Sequence, residues 1–312
     1  MELEYDEGIE YTVCVLNEEY QIIGTGSVEK NVIKCVAIDP AYQGQGYSAT
    51  ILSALIQYEF DKAVTHLFIY TKPKNLDMFA DMGFHTILMT KDILFMENRS
   101  RGFESFMRAL REETPEEALR KDAVIGAVVA NCNPFTLGHR YLLEEALKRC
   151  DYLHLFILSD DRGAFRAEER YAMVQAGIRD MERVILHRTS DYMISAATFP
   201  TYFFKDKLQA KTANCRLDLE LFASRIAPEL SITKRFVGTE PGCNVTRQYN
   251  EEMKKILPDY GITVEEIKRK ELEGSFISAS RVRSFLETRE YDEVKQLVPE
   301  DVFELLVEKG RP

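Results

Sequence analysis

The chain has 312 residues, 45% of them hydrophobic and 29% charged, with a formal net charge of −11. That is length enough for two cores, and the acidic balance excludes a nucleic-acid backbone as partner, because sequence-independent affinity for it comes from clustered Lys and Arg. The acidic first residues lack the apolar stretch of a signal peptide and nothing approaches a membrane-spanning length, so a cytoplasmic protein without a membrane partner is expected.

In chain order, apolar runs predict strands at Tyr11–Leu16, Ile22–Val28, Ile33–Asp39, His66–Tyr70 and Ile93–Met96, with helices at Tyr47–Lys62 and Asn75–Met82. From about Asn98 to Asp122 Arg, Glu and Lys crowd a helical pattern, and Thr114-Pro115-Glu116-Glu117 reads as an N-cap, a first-position proline and an acidic first turn. This stretch is expected to join two domains, 1–97 and 123–312. Beyond it, strands are expected at 124–130, 152–158, 184–187, 235–237 and 262–267, alternating with helices at 140–149, 168–181, 197–209, 246–257 and 281–288. Such alternation is the pattern of a doubly wound parallel sheet, class α/β. A small helical cap closes the chain: Val298 ends one helix, Pro299 opens another and Gly310 stops it. The six cysteines (Cys14, Cys35, Cys132, Cys150, Cys215, Cys243) form no Cys-x-x-Cys pair and have no nearby His, so idle thiols are expected and no metal site.

Two motifs sit where strands hand over to helices. Ala130-Asn131-Cys132-Asn133-Pro134-Phe135-Thr136-Leu137-Gly138-His139 follows a continuously apolar strand. It offers a hydroxyl, a glycine for close approach and an imidazole at a helix N-terminus, the place where open α/β sheets receive phosphates. By itself the pattern equally suits a buried histidine beside a well-capped helix. Ile277-Ser278-Ala279-Ser280-Arg281-Val282-Arg283 opens a later helix with two hydroxyls and a guanidinium, suited to a polyphosphate tail, although a serine cap with a solvated arginine is the ordinary alternative. Loops Ser159-Asp160-Asp161 and Gly238-Thr239-Glu240-Pro241-Gly242 belong to the same edge, as either ligand loops or plain turns, and the Arg188–Lys205 stretch carries Ser190, Tyr192, Ser195, Thr198 and Tyr202 among aromatics.

Taken together, the two motifs resemble the nucleotidyltransferase superfamily, with its (His/Thr)-x-Gly-His and Ile-Ser-x-Ser-x-x-Arg signatures. The resemblance implies catalytic Thr136, His139 and Arg283. It also implies an ATP site of Asn133, Phe135, Thr136, Gly138, His139, Gly238, Glu240, Ser278, Ser280 and Arg283, with Mg2+ accompanying the nucleotide. The earlier stretch Val36 to Ser48, with Gln43-Gly44-Gln45-Gly46-Tyr47-Ser48, is similar to motif A of the GNAT acetyltransferases, and Asn75 to Phe84 matches their Asn-x-x-x-Phe-x-x-x-Gly-Phe signature. Too few residues precede motif A for the two helices that usually shape an amine-acceptor site. A truncated GNAT-like α+β unit holding a coenzyme A-like arm through Gln43, Gly44, Gly46 and Ser48 is therefore expected.

The order of a shortened GNAT unit and then a nucleotidyltransferase unit, Rossmann-like with a C-terminal helical cap, resembles the citrate lyase ligase family over essentially the whole chain. The resemblance implies an AMP-forming acid–thiol ligase. Acetate is activated with ATP as acetyl-adenylate, and the acetyl group passes to the thiol of the dephospho-coenzyme A-derived arm on the acyl carrier (gamma) subunit of citrate lyase. The alternative is an adenylyltransferase of coenzyme A or NAD metabolism, which leaves the GNAT-like unit without a role.

Overall fold

The computed structural model describes residues 8–120, 122–159, 163–193, 207–240 and 244–308. Two compact units result, residues 1–105 with 196–217 and residues 106–195 with 218–312.

The first unit is built on strands β1 (Tyr11–Leu16), β2 (Ile22–Glu29), β3 (Val32–Ile38), β4 (Phe68–Thr71), β5 (His85–Met89) and β6 (Leu94–Glu97) in the order β1-β2-β3-β4-β6-β5. All neighbours are antiparallel except β3 and β4, which run parallel and register at only two pairs, Val32 with Phe68 and Ile33 with Ile69. Cys35, at φ 56°, interrupts β3 just beyond them. The helix Tyr47–Asp61 lays Ile51, Leu52 and Leu55 into a core with Val28, Ile33, Ile69 and Met96. Burial at this level is worth about 1.5–3 kcal/mol per aliphatic side chain. Strand β5 was not expected from the sequence: it is a short edge strand with a mostly exposed pattern, and its three apolar residues, Ile87 to Met89, make too short a run to mark it.

The helix Gly102–Glu112 carries the chain towards the second unit. Thr114 is not the N-cap expected there. Its hydroxyl donates to the Leu110 carbonyl at 2.7 Å, and Pro115 precedes a short 3-10 turn, Glu116–Leu119, rather than occupying its first position. A hydroxyl one turn behind an unfinished carbonyl finds that acceptor before it can cap a new helix.

The second unit holds β7 (Ile125–Ala130), β8 (Tyr152–Ile157), β9 (Val184–Arg188), β10 (Ile232–Gly238) and β11 (Thr263–Ile267), all parallel, in the order β11-β10-β7-β8-β9. Strand β7, small and apolar throughout, is the central one. The chain leaves it towards β8 on one side and returns to β10 on the other. That reversal is a topological switch point, and the crevice beyond the carboxyl ends of β7 and β10 is where such sheets bind ligands. On one face lie the helices Leu137–Leu147 and Ala167–Gly177, packed through Leu143, Ala146, Met173 and Val174. The C-terminal helices Tyr291–Leu297 and Glu300–Glu308 add Val294, Leu297, Val302 and Leu306 to that core. The helix beginning at Lys207 runs to Leu221; the earlier part of the helix expected at 197–209, and Gly310, lie outside the described residues.

Candidate active site

A cleft of about 490 Å³ opens at the switch point, an ordinary size for a small-molecule site. Its floor is the ends of β7 and β10, Val128 to Asn131 and Phe236 to Gly238, and its walls are the first turns of two helices.

Thr136 is the N-cap of the helix Leu137–Leu147. Its hydroxyl accepts the His139 N–H at 3.3 Å, while the Thr136 N–H donates to His139 Nδ1 at 3.0 Å. The reciprocal cap fixes the imidazole. With Nδ1 accepting, a neutral ring must carry its proton on Nε2, which is then a donor. Burial, helped by the charge of Arg269, lowers the His139 pKa to about 4, so the ring is neutral at ordinary pH. Fully buried Phe135 stacks behind it, ring centroids 5.7 Å apart.

The second helix, Ala279–Thr288, starts at the same place. Its N-cap Ser278 accepts the Arg281 N–H at 3.3 Å and stands 3.0 Å from the Ser280 hydroxyl. A Cβ built on Gly138 would come within 2.8 Å of the Ile277 carbonyl oxygen, so the residue just inside the first helix must be glycine for the backbone before the second to approach. Arg283 Nη1 donates to the Asn133 carbonyl at 2.5 Å, which ties the second helix to the loop leading into the first. Two positive helix ends therefore converge on one crevice, an arrangement suited to an extended anion.

Of the residues singled out from the sequence, Thr136, Gly138, His139, Gly238, Glu240, Ser278, Ser280 and Arg283 line this cleft. Asn133 and Phe135 do not. The Asn133 side-chain carbonyl accepts the Phe165 N–H at 3.1 Å, so it organises the loop, and Phe135 backs the imidazole. The Glu240 carboxylate is engaged by the Arg269 guanidinium. Asp160, Asp161, Pro241, Gly242, Ser195, Thr198 and Tyr202 lie outside the described residues, while Tyr192 is buried against Phe106.

Other members of the site escaped the reading of the sequence. Lys268, Arg269 and Lys270, following β11, bring positive charge to the cleft, and Arg235 lines it from mid-strand. Arg170, completely buried, donates through Nη1 to the Asn131 carbonyl and side chain at 2.7 and 2.6 Å, holding the exit of β7. Its signal was present: with Met173, Val174 and Gly177 it falls at i, i+3, i+4 and i+7 on the buried helical face.

In the first unit, Gly44 and Gly46 take φ of 76° and 84°, a left-handed conformation that side chains other than glycine rarely adopt. Gly46 is the N-cap of Tyr47–Asp61, so the loop turns its backbone into the start of a long helix. Ser48 is in that first turn, and the Gln43 side chain donates to the Ile38 carbonyl at 3.1 Å.

A mixed sheet with a glycine loop, followed along the chain by a parallel sheet with capped helix ends gathered at its switch point, defines a two-unit protein, an α+β unit and then a doubly wound α/β unit. Family models agree: residues 3–92 match the acetyltransferase (GNAT) domain and residues 125–306 the citrate lyase ligase C-terminal domain. The chain is 42% identical over 99% of its length to the citrate (pro-3S)-lyase ligase of Haemophilus influenzae, covering 92% of that protein. To the enzyme of the same name from Klebsiella pneumoniae it is 41% identical over 93% of the chain and 85% of the relative. The chain belongs to the citrate lyase ligase family. Among solved structures it is similar to Thermotoga maritima TmcAL bound with alpha-thio ATP, with a TM-score of 0.41 and 16% identity over 60% of this chain and 56% of that one.

Proposed function

We propose that the second unit activates acetate with ATP and that the acetyl group then passes to the thiol of the dephospho-coenzyme A-derived arm on the acyl carrier subunit of citrate lyase. The observation that carries this reading is the convergence of the two helix starts, with the neutral His139 ring and Arg283 at their meeting point.

Acetate is a poor acyl donor because its leaving group would be oxide. When a carboxylate oxygen attacks the α-phosphorus, an O–P bond forms and the bond to pyrophosphate breaks, the pyrophosphate leaving with the electron pair. No proton moves. In the second step the carrier thiol loses its proton to water, the thiolate forms a C–S bond to the acyl carbon, and the C–O bond to AMP breaks, AMP leaving with the electron pair. Negative charge grows on the phosphate oxygens in the first step, and the Nε2–H of His139, the helix N–H groups and the Arg283 guanidinium are donors fixed beforehand. Ser278 and Ser280 suit the β and γ phosphates.

Magnesium enters as part of the nucleotide substrate. Among the described residues no group of three or more His, Cys, Asp and Glu is placed to hold a metal, and Glu240, the acidic residue lining the cleft, is committed to Arg269. Phosphate oxygens and water would supply the ion's coordination. In the first unit, the backbone N–H groups of Gly44 to Ser48 suit the pyrophosphate of the carrier's arm.

The test is ATP–pyrophosphate exchange by the full chain. Exchange that requires acetate is the expected result. Exchange supported by phosphopantetheine or nicotinamide mononucleotide and not by acetate would favour the adenylyltransferase alternative.

A further inference from the structure

Arg235 stands in the middle of β10, paired with Ala127 of β7, and lines the cleft although only 4% of it is exposed. Its guanidinium lies over the Phe222 ring, 4.6 Å from the centroid. Its Nε and Nη1 are buried and have no hydrogen-bond partner among the described residues. The other cleft arginines are engaged: Arg269 with Glu240 and Arg283 with the Asn133 carbonyl. The carboxylate of Asp218, whose charge Arg235 feels, accepts a hydrogen bond from the Tyr249 hydroxyl, and burial raises its pKa. Burying a charge without hydrogen bonds is costly, and the face of Phe222 offsets only part of it. An anion entering the cleft would complete the group.

The surroundings select which anion. Side chains alternate along a strand, so Val129 and Val237 share the face of Ala127 and Arg235, one step nearer the strand ends, and both line the cleft. A cation beside two branched apolar side chains fits a charged head with a short hydrocarbon tail. The triphosphate has its own donors at the two helix starts.

We infer that Arg235 anchors the carboxylate of a short-chain acid substrate in the cleft. This rests on the acid-activating reading above. The guanidinium offsets the repulsion between carboxylate and triphosphate and leaves one carboxylate oxygen to attack. That oxygen forms the new bond to phosphorus as pyrophosphate leaves, and Arg235 keeps its proton throughout.

The experiment compares the full-length wild-type chain with Arg235→Met and Arg235→Lys in acetate-dependent pyrophosphate exchange and in acetyl transfer to the carrier thiol. The expected result is an acetate KM raised roughly 10- to 100-fold in the Met variant, the cost of one lost charge-assisted contact, with the ATP KM held within twofold. The Lys variant, which keeps the charge without the fork, should show a smaller rise. It carries the same test should a thermal melt show the Met variant unfolded. An unchanged acetate KM in folded variants would overturn the inference. So would a rise in the ATP KM, which makes the group a triphosphate ligand, or a defect confined to thiol transfer. A wild-type chain whose exchange ignores acetate would instead overturn the acid-activating reading, and the inference with it.

Discussion

At the scale of the residue, the site turns on how His139 is held. The Thr136 N–H occupies Nδ1, so the ring offers Nε2–H and needs no charge to do so. Replacing His139 with Ala should lower exchange turnover by roughly 10²-fold or more, the usual cost of one preorganised donor, with the fold retained. Turnover equal to wild type would make the ring merely a cap. With the pKa at about 4, the imidazole remains neutral above that value, so the pH profile of kcat should show no inflection from this residue near 6.5. Activity that depends on it is lost only as pH falls through about 4. The linked effect on stability has the same sign. Between about 6.5 and 4 the unfolded chain binds a proton that the folded ring refuses, so stability contributed here rises with pH across that window. His154, buried and lowered to about 3, adds in the same direction. A melting temperature unchanged between pH 7 and 4.5 would contradict both.

At the scale of the element, two helix starts act as one device because nothing larger than glycine separates them. Gly138→Ala would put a methyl group within 2.8 Å of the Ile277 carbonyl, a backbone atom that cannot swing away. The helices must part, and the ATP KM should rise roughly 10-fold or more. Full activity in that variant would mean that their spacing is immaterial. Much of this was legible in the sequence, because a capped helix after an apolar strand has local signals: the strand at Val124–Ala130, the Thr-x-Gly-His turn and the Ser-x-Ser pair were all visible there. What stayed hidden was tertiary. Arg235 reads as a polar residue near the start of a strand, and Lys268-Arg269-Lys270 as a solvated run. Their place in the cleft follows from β10 pairing with β7 and β11 with β10, adjacencies no local pattern encodes. Strand β5 was missed for a local reason: at a sheet edge only Ile87 of its short apolar run is buried, too little to mark a strand. The expected roles of Phe135 and Asn133 shift from contact to support for the same tertiary reason.

At the scale of the whole molecule, the proposed function assigns one half-reaction to each unit. Gly46 has φ 84° and open space where a Cβ would project, so the constraint on it is conformational. Gly46→Val should distort the turn before Tyr47 and raise the KM for the acyl carrier while leaving acetate-dependent pyrophosphate exchange unchanged. Equal carrier KM values in the variant and the wild type would remove the glycine loop from arm binding. Equal losses in both assays would mean that the loop serves the fold rather than the arm.

The most direct test of the central claim is a crystal structure of this chain with a non-hydrolysable ATP analogue. The triphosphate should lie in the crevice beyond β7 and β10, within hydrogen-bond reach of His139 Nε2 on one side and of Ser278, Ser280 and Arg283 on the other. Phosphates bound at a different edge of the sheet, or touching one helix start and not its neighbour, would contradict the account.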